Sequence, residues 1–182
     1  MKKALMILAD GFEEIEAFSP VDILRRADIE VTIAGLSGKA IESARGVKVT
    51  ADIGLTEAEG EFDAVVFPGG AAGAENLAKS EKVKSIIKSM HAKGKIIAAI
   101  CASPAWVLAP TGILKDKNAT GYPGTEKEFP KDVKFKSELV VADGNIITSK
   151  GPGTAALFGL KLVEILAGKE KAEDLKKKML IT

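Results

Sequence analysis

The amino-acid sequence predicts an α/β domain built on a mostly parallel, doubly wound sheet. Short apolar runs alternate with helical patterns along the chain, which is typical of a parallel sheet covered on both faces. The length of 182 residues matches one domain of ordinary size, and the 46% hydrophobic and 28% charged residues are close to globular averages. No repeat, low-complexity tract or linker interrupts the pattern, so one domain is expected over residues 1–182.

Each element has its own signal. The predicted strands are 4–8, 30–34, 47–51, 64–67 and 96–100. The first helix carries apolar residues every three positions and ends in two arginines, which suit the negative end of the helix dipole. Further helices are predicted over 80–91 and about 154–166, and a short surface helix after Gly168. Asp143-Gly144, between 139–142 and 145–149, is a two-residue turn signal that predicts an added hairpin.

Charge and cysteine content exclude several classes of protein. The 26 Lys and Arg balance the 25 Asp and Glu to a net charge of +1, so no overall field favours nucleic acid or an anionic membrane, although local patches stay open. The single cysteine excludes an internal disulfide framework and Cys-rich zinc sites, and indicates a reducing compartment.

Neither apolar stretch of the sequence is predicted to enter a membrane. The apolar N-terminal run is cut short by Asp10 and Glu13, and the uncharged stretch 96–114 is interrupted by Pro104, Pro110 and Gly112. We therefore expect a cytoplasmic protein.

The chemistry is expected just after the strands, because ligands of open parallel sheets bind beyond the carboxyl ends of the strands. Three segments stand there: 10–16, 69–73 and 101–103. Cys101 is the sharpest candidate. Small neighbours permit a sharp strand-to-helix turn that exposes the side chain, and a helix start lowers a thiol pKa from about 8.5. The alternative is a buried, inert cysteine.

The glycine-rich loop 68–73 lacks the spacing of a dinucleotide or phosphate-binding loop. Its backbone N–H groups are better placed to approach a reacting oxygen, and an oxyanion hole from the N–H groups of Gly70 and Ala102 has the right chemistry. A plain turn entering a helix explains the loop equally well. The segment 149–154 also lacks the ending of a phosphate-binding loop, and packing beside the site is enough to explain its glycines.

Other titratable residues give weaker signals. Glu13, Glu14 and Glu16 open the first helix, where acids favour the positive dipole end, and nothing local singles out Glu16. His91 is the only histidine and is predicted at the surface near a helix end, which argues against a cysteine–histidine dyad.

Five ordered motifs now amount to a family resemblance: ADGFEEIE, VFPGG, AAICASPAWVLA, TGYP and TSKGPGT. In this order and spacing they resemble the ThiJ/PfpI superfamily, and within it the branch of the Parkinson-disease-linked deglycase and bacterial YajL. The resemblance covers essentially the whole chain. It implies a flavodoxin-like three-layer sandwich, a homodimer and a reactive cysteine on a nucleophile elbow.

The resemblance also implies roles for particular residues. Cys101 is the nucleophile, Glu16 is the acid that hydrogen-bonds its sulfur, and Gly70 and Ala102 donate to the oxyanion. Further positions lining the site or its surroundings are Gly69, Arg26, Arg45, Tyr122 and Pro152, with the two arginines assigned either to the site or to the dimer contact. No metal or cofactor is expected.

Two departures bear on the activity. Peptidase-like relatives have His directly after the cysteine, where this chain has Ala102, and the human-like branch has His where this chain has Tyr122. Protease activity is therefore not expected. The sequence predicts a cysteine-dependent glyoxalase or deglycase that acts on glyoxals or their early adducts with amines and thiols. The alternative is a redox-sensing stress protein or holdase chaperone that uses an oxidisable Cys101 without turnover.

Overall fold

The computed structural model describes all residues, 1–182, and contains eleven β-strands and five α-helices. The strands are β1 (Lys3–Leu8), β2 (Glu30–Gly35), β3 (Ala40–Glu42), β4 (Lys48–Thr50), β5 (Ile53–Gly54), β6 (Ala64–Phe67), β7 (Ile96–Ile100), β8 (Asn118–Ala119), β9 (Lys134–Phe135), β10 (Val140–Asp143) and β11 (Ile146–Ser149). The helices are α1 (Glu14–Arg26), α2 (Ala71–Lys79), α3 (Glu81–Ala92), α4 (Ala155–Ala167) and α5 (Lys169–Lys178).

Seven strands form the central sheet in the order β10-β11-β7-β6-β1-β2-β5. All neighbours are parallel except β10, which pairs antiparallel with β11. The antiparallel pair of β3 and β4 stands apart as a small hairpin. The predicted α/β fold with a mostly parallel, doubly wound sheet is therefore confirmed, and the predicted added hairpin is the pair of β10 and β11.

The middle of the sheet explains why two strands could be located from sequence without error. Every residue of β6 is buried, and so is all of β7 apart from its first residue. Strands covered on both faces read as continuous apolar runs, and the predicted bounds 64–67 and 96–100 match the structure. Helix α3 packs on β6 and β7, while α1 packs closely against α4.

Helix α1 begins where the candidate site begins. The side chain of Glu13 caps the helix by accepting the backbone N–H of Glu16 at 3.0 Å, and Arg25 and Arg26 lie in the last turn. An acidic cap suits the positive end of the helix dipole. As a consequence Glu16 lies in the first turn, directly beside the ends of the central strands.

Several elements were not predicted. Helix α2 starts in a glycine-rich loop that has no side-chain cap, and β3, β5, β8 and β9 are two or three residues long. The extended segment predicted over 47–51 is the strand β4, whose partner β3 was missed. Such short strands carry too few residues to show an alternating pattern.

The hairpin of β10 and β11 is confirmed, but its predicted turn is wrong by one residue. Asp143 pairs with Ile146, so the turn is Gly144-Asn145 rather than Asp143-Gly144. Gly144 has φ +63°, which a hairpin turn favours at its first position. The carboxylate of Asp143 meanwhile accepts the backbone N–H of Asn118 at 2.9 Å, which holds Asp143 in the strand.

The remaining boundaries differ by small shifts. The last long helix is α4, one residue later than the predicted 154–166, and α5 confirms the short helix after Gly168. Pro104 opens the helical segment after Cys101 as predicted, but that segment is a wide five-residue turn, Pro104–Leu108, followed by a tighter one, Ala109–Thr111. No helix has the combination of length and apolarity that a membrane crossing requires.

Candidate active site

Cys101 lies at a sharp turn at the carboxyl end of β7, and its backbone is left-handed, with φ +67°. Its N–H donates to the carbonyl of Ser149 at 3.0 Å, and its own carbonyl accepts the N–H of Tyr122 at 2.8 Å. A non-glycine residue rarely adopts this conformation, and such strain concentrates at functional sites. The predicted elbow is therefore present and is held from both sides.

The loop after β6 is bound to the elbow and to α1. The hydroxyl of Ser103 donates to the carbonyl of Pro68 at 2.6 Å, the N–H of Gly69 donates to Glu16 Oε2 at 2.8 Å, and the N–H of Glu13 donates to the carbonyl of Gly69 at 3.1 Å. Three chain segments distant in sequence are thereby fixed around one point. Sequence reasoning found the segments but not these bonds.

Gly69 is required by the space between the two reactive side chains. A Cβ built on it would lie 2.5 Å from Cys101 Cβ, 2.5 Å from Glu16 Oε2 and 3.0 Å from Cys101 Sγ. These distances are too short for any side chain, so only glycine lets the carboxyl and the thiol meet.

The two predicted backbone donors both reach the sulfur. The N–H groups of Gly70 and Ala102 hydrogen-bond the Cys101 side chain and favour its thiolate form. Gly70 has φ +85°, and a Cβ there would collide with the carbonyl oxygen of Gly11. Because both N–H groups lie beside the sulfur, they also lie near the oxygen of a carbonyl carbon to which the sulfur bonds.

Glu16 is fully buried, and its surroundings contain no cation within ion-pair distance. Its Oε2 accepts the Gly69 N–H, whereas its Oε1 has no hydrogen-bond partner. Burial raises the pKa of Glu16 to about 7, against the lowering effect of its hydrogen bonds to Cys101 and Gly69. The carboxyl therefore exchanges a proton near neutral pH, which suits general acid–base work.

The prediction that the helix start lowers the pKa of Cys101 is wrong. Burial, followed by the charge of Glu16, raises the pKa of the thiol to about 12, and the two backbone donors offset only part of this. The groups ionise as a coupled pair. As pH rises above about 7 the pair retains one proton, carried either by the sulfur or by Glu16, and the second arrangement supplies the thiolate.

Tyr122 and the 151–154 turn form the mouth of this site. The Tyr122 side chain is 48% exposed, and its ring lies 3.2 Å from where a Cβ on Gly151 would be. The same Cβ would lie 3.8 Å from Glu16 Oε1. Pro152 is the first residue of the short helical turn Pro152–Thr154, directly after Gly151.

The structure does not bring the two arginines to Cys101. Arg26 lies at the far end of α1, exposed and paired with Asp22 at 2.7 Å. Arg45 is exposed in the hairpin loop, where its N–H donates to Glu14 Oε1 at 3.1 Å. Their alternative assignment, to a dimer contact, stays a prediction.

His91 lies in the last turn of α3, away from the site, as predicted, but it is half-buried and its Nδ1 has no partner. A Cys101–His91 dyad is therefore not formed. No group of three His, Cys, Asp or Glu side chains is arranged to hold a metal ion.

These features define a class of α/β proteins with a cysteine on a sharp turn at the carboxyl edge of a doubly wound sheet, beside a buried carboxyl and two backbone donors. Residues 2–165 match the DJ-1/PfpI family, and the chain belongs to that family, in its DJ-1 branch. The resemblance inferred from the five motifs is confirmed.

Known relatives cover the chain nearly end to end. Protein dj-1beta of Drosophila melanogaster is 44% identical over 99% of this chain and 97% of its own length, and its crystal structure superposes with a TM-score of 0.95, covering 100% and 98%. The Parkinson disease protein 7 homolog of Danio rerio is 43% identical over 99% and 97%. A protein of Caenorhabditis elegans named a glutathione-independent glyoxalase is 36% identical over 97% and 95%.

Proposed function

We propose that the chain is a cysteine-dependent enzyme of the glyoxalase or deglycase type, acting on glyoxals or on their early adducts with amines and thiols. The observation that carries this proposal is the contact between Cys101 and the buried Glu16, with the N–H groups of Gly70 and Ala102 at the same sulfur. The name of the nematode relative supports the same chemistry.

The reaction starts from the arrangement in which Glu16 holds the proton. The Cys101 thiolate adds to the aldehyde carbon and forms a carbon–sulfur bond, and the carbonyl electron pair becomes an oxyanion that Gly70 and Ala102 stabilise. Glu16 donates its proton to that oxyanion and becomes a carboxylate. The product of this step is a neutral hemithioacetal.

The second half returns the protein to its starting state. The Glu16 carboxylate takes the proton from the former aldehyde carbon, and the released electron pair forms a carbon–carbon double bond. The π pair of the ketone moves to its oxygen, which takes the proton back from Glu16 to give an enediol. Glu16 then takes the hydroxyl proton from the carbon that bears the sulfur and delivers a proton to the ketone carbon, which gives a thioester. Hydrolysis of the thioester by water releases a hydroxy acid and the thiol. The aldehyde carbon is oxidised while the ketone carbon is reduced, so no external oxidant or cofactor enters.

Direct turnover tests the proposal. Purified, metal-free protein is expected to convert methylglyoxal to lactate, and Cys101→Ala is expected to abolish the conversion. Chiral analysis of the product separates enzymatic turnover from the spontaneous reaction. A Cys101→Ala protein as active as the parent would contradict the proposal.

A redox-sensing role is the second candidate, favoured by the same donors around the sulfur. Gly70, Ala102 and a protonated Glu16 can donate to the oxygens of a sulfinate, and no second cysteine exists to trap a sulfenic acid as a disulfide. Mild peroxide should therefore add two oxygens to the Cys101 peptide in mass spectrometry, separately from oxidation of the four Met. Glu16→Asp should prolong the sulfenic stage. A cysteine that stays reduced while methionines oxidise contradicts this role.

We also infer a twofold homodimer joined through the start of α1. Ile15 is 52% exposed on that helix, although a large apolar side chain at such a position is better placed in an interface. Half-buried Phe18 lies one turn further on, with its ring edge-on to Phe12. Sedimentation should give a dimer at micromolar concentration, and a monomer there would contradict the inference.

A further inference from the structure

A cavity of about 240 Å³ lies at the end of the sheet opposite to the candidate active site. It is half-open and is bordered by the start of β1, helix α3, the segment 58–62 and the residues just before β7. Cys101 follows β7, whereas Lys95 precedes it, so the whole length of that strand separates the two places. The cavity shares no residue with the site described above.

The floor of the cavity is apolar and includes a central strand. It is formed by Leu5, Phe62, Ile86 and Met90. Helix α3 packs on β6 and β7, and next to it the segment around Phe62 lies over the neighbouring strand β1. The gap that results is a half-open surface pocket whose floor is buried or half-buried and whose rim, including Lys82, Ser85 and Ser89, is exposed.

The mouth of the cavity carries hydrogen-bond donors on one side of α3. Lys82, Ser85, Ser89 and Lys93 follow one another at steps of three, four and four residues, which places them along one helix face. Neither serine hydroxyl has a protein partner, and the Lys82 ammonium has no ion pair, although Lys84 beside it is paired with Glu81 at 2.7 Å.

The charge of the lining is positive. Three lysines line the cavity and Glu61 is the one acid among its lining residues. Glu61 lies 3.8 Å from Lys93, a long contact, and the third lysine, Lys95, is held by Asp63 at 3.1 Å. An anion at the mouth would therefore meet Lys82 and Lys93 with little competition from bound carboxylates.

We propose that this cavity binds an aromatic monocarboxylate, with its ring between Phe62 and Met90 and its carboxylate at Lys82 and Lys93. Aromatic rings and thioethers make favourable contacts with a flat apolar ligand, and lysine ammonium groups with its acid group. The volume equals that of roughly eight waters, the size of one ring with a short acid side chain. Ser85 and Ser89 supply the remaining donors.

Phenylacetate is the probe, and phenylacetamide is its neutral counterpart of the same shape. In ¹H–¹⁵N spectra of the full chain, phenylacetate should shift the amides of α3 saturably and leave those of Cys101 and Ala102 in place. Lys82→Gln should weaken binding about threefold to fivefold, the effect of losing one partly exposed ion pair. Lys88→Gln, on the same helix but outside the cavity, is the matched control and should not weaken it.

Three results would overturn the proposal. Shifts centred on Cys101 would place the ligand at the other end of the sheet. Equal affinity for phenylacetamide would remove the role of the lysines. Binding that disappears as protein concentration rises, in step with self-association by sedimentation, would show that a second copy of the chain covers the cavity.

Discussion

Two carboxyl groups at opposite ends of the same sheet are shifted in opposite directions. Asp63, just before β6, accepts the backbone N–H of Lys3 at 3.1 Å and the ammonium of Lys95 at 3.1 Å, and these contacts lower its pKa. Glu16 has only neutral donors and no contact with water, and burial raises its pKa. One carboxyl is fixed as an anion, and the other is free to exchange a proton.

The difference teaches where this fold keeps its reactive chemistry. At the Asp63 end, charges are paired and half-exposed, which is the usual way to stabilise a surface. At the Glu16 end the chain accepts a left-handed cysteine, a carboxyl oxygen without a partner and glycines that no other residue can replace. Such unfavourable features persist where function requires them.

The largest expected effect is the loss of turnover in Glu16→Gln. Glutamine keeps the size of the side chain but cannot exchange a proton, so turnover should fall by roughly 100-fold or more. Glu14→Gln, two residues earlier in α1, is the control, because the Glu14 carboxylate hydrogen-bonds Ser43 and the backbone N–H of Arg45 instead of the thiol. If turnover is unchanged in Glu16→Gln while Cys101→Ala is inactive, Glu16 takes no part in proton transfer and serves only at the start of the helix.

The opposite pKa shifts predict opposite stability profiles. Because the folded pKa of Glu16 lies above its unfolded value, stability from its neutral form is full below pH 4.5 and is lost as pH rises to about 7. Relative to the parent, Glu16→Gln should therefore gain up to about 3 kcal/mol between pH 5 and pH 8.

Asp63→Asn is the matched comparison at the other end of the sheet. The lowered pKa of Asp63 stabilises the folded state above its unfolded value of about 3.8, and that contribution is lost as pH falls through the folded pKa. The variant should cost about 1 kcal/mol at pH 7 and less at pH 3. Urea unfolding at a series of pH values measures the free energy of unfolding of both variants. If the two differences from the parent change with pH in the same direction, the contrast between Glu16 and Asp63 is contradicted.

Gly69→Ala should disrupt the Glu16 end without changing any charge. Its methyl group would overlap Cys101 and Glu16, so a stability loss of about 1–3 kcal/mol is expected. Gly153→Ala is the control, because nothing lies within 4 Å of a Cβ there. Thermal unfolding measures both, and equal effects would show that the space at Gly69 is not limiting.

Tyr122→Ala should have the smallest effect, a moderate rise in the alkylation rate of Cys101 by iodoacetamide. The ring borders the mouth, and removing it widens access to the thiol. Tyr122→Phe retains the ring and should react like the parent. If both variants react equally, the ring does not restrict entry.

Much of this site could be predicted from sequence, and the limits are physical. Cys101 was predicted from its place after an apolar strand among small residues, and the structure confirms the elbow. Glu16 came only from the family resemblance, since it does not differ locally from Glu13 or Glu14. The direction of the Cys101 pKa shift was wrong, because it depends on burial and on a carboxyl brought from a distant segment.

The missed elements have a similar cause. Helix α2 begins directly after Gly70, a residue type that usually marks a turn, and β3 exists through its pairing with β4. The steric need for Gly69 follows from three segments meeting in space. No local sequence pattern indicates these three features, whereas the continuous apolar runs of β6 and β7 indicate those strands directly.

The shared proton of Glu16 and Cys101 is tested most directly by the carboxyl ¹³C resonance of Glu16 across pH. In the parent this resonance should titrate near pH 7, separately from the other glutamates. In Cys101→Ala it should titrate at higher pH, because the hydrogen bond from the thiol lowers the pKa of Glu16. Titration near 4.5, or a midpoint unaffected by Cys101→Ala, would contradict the coupled pair.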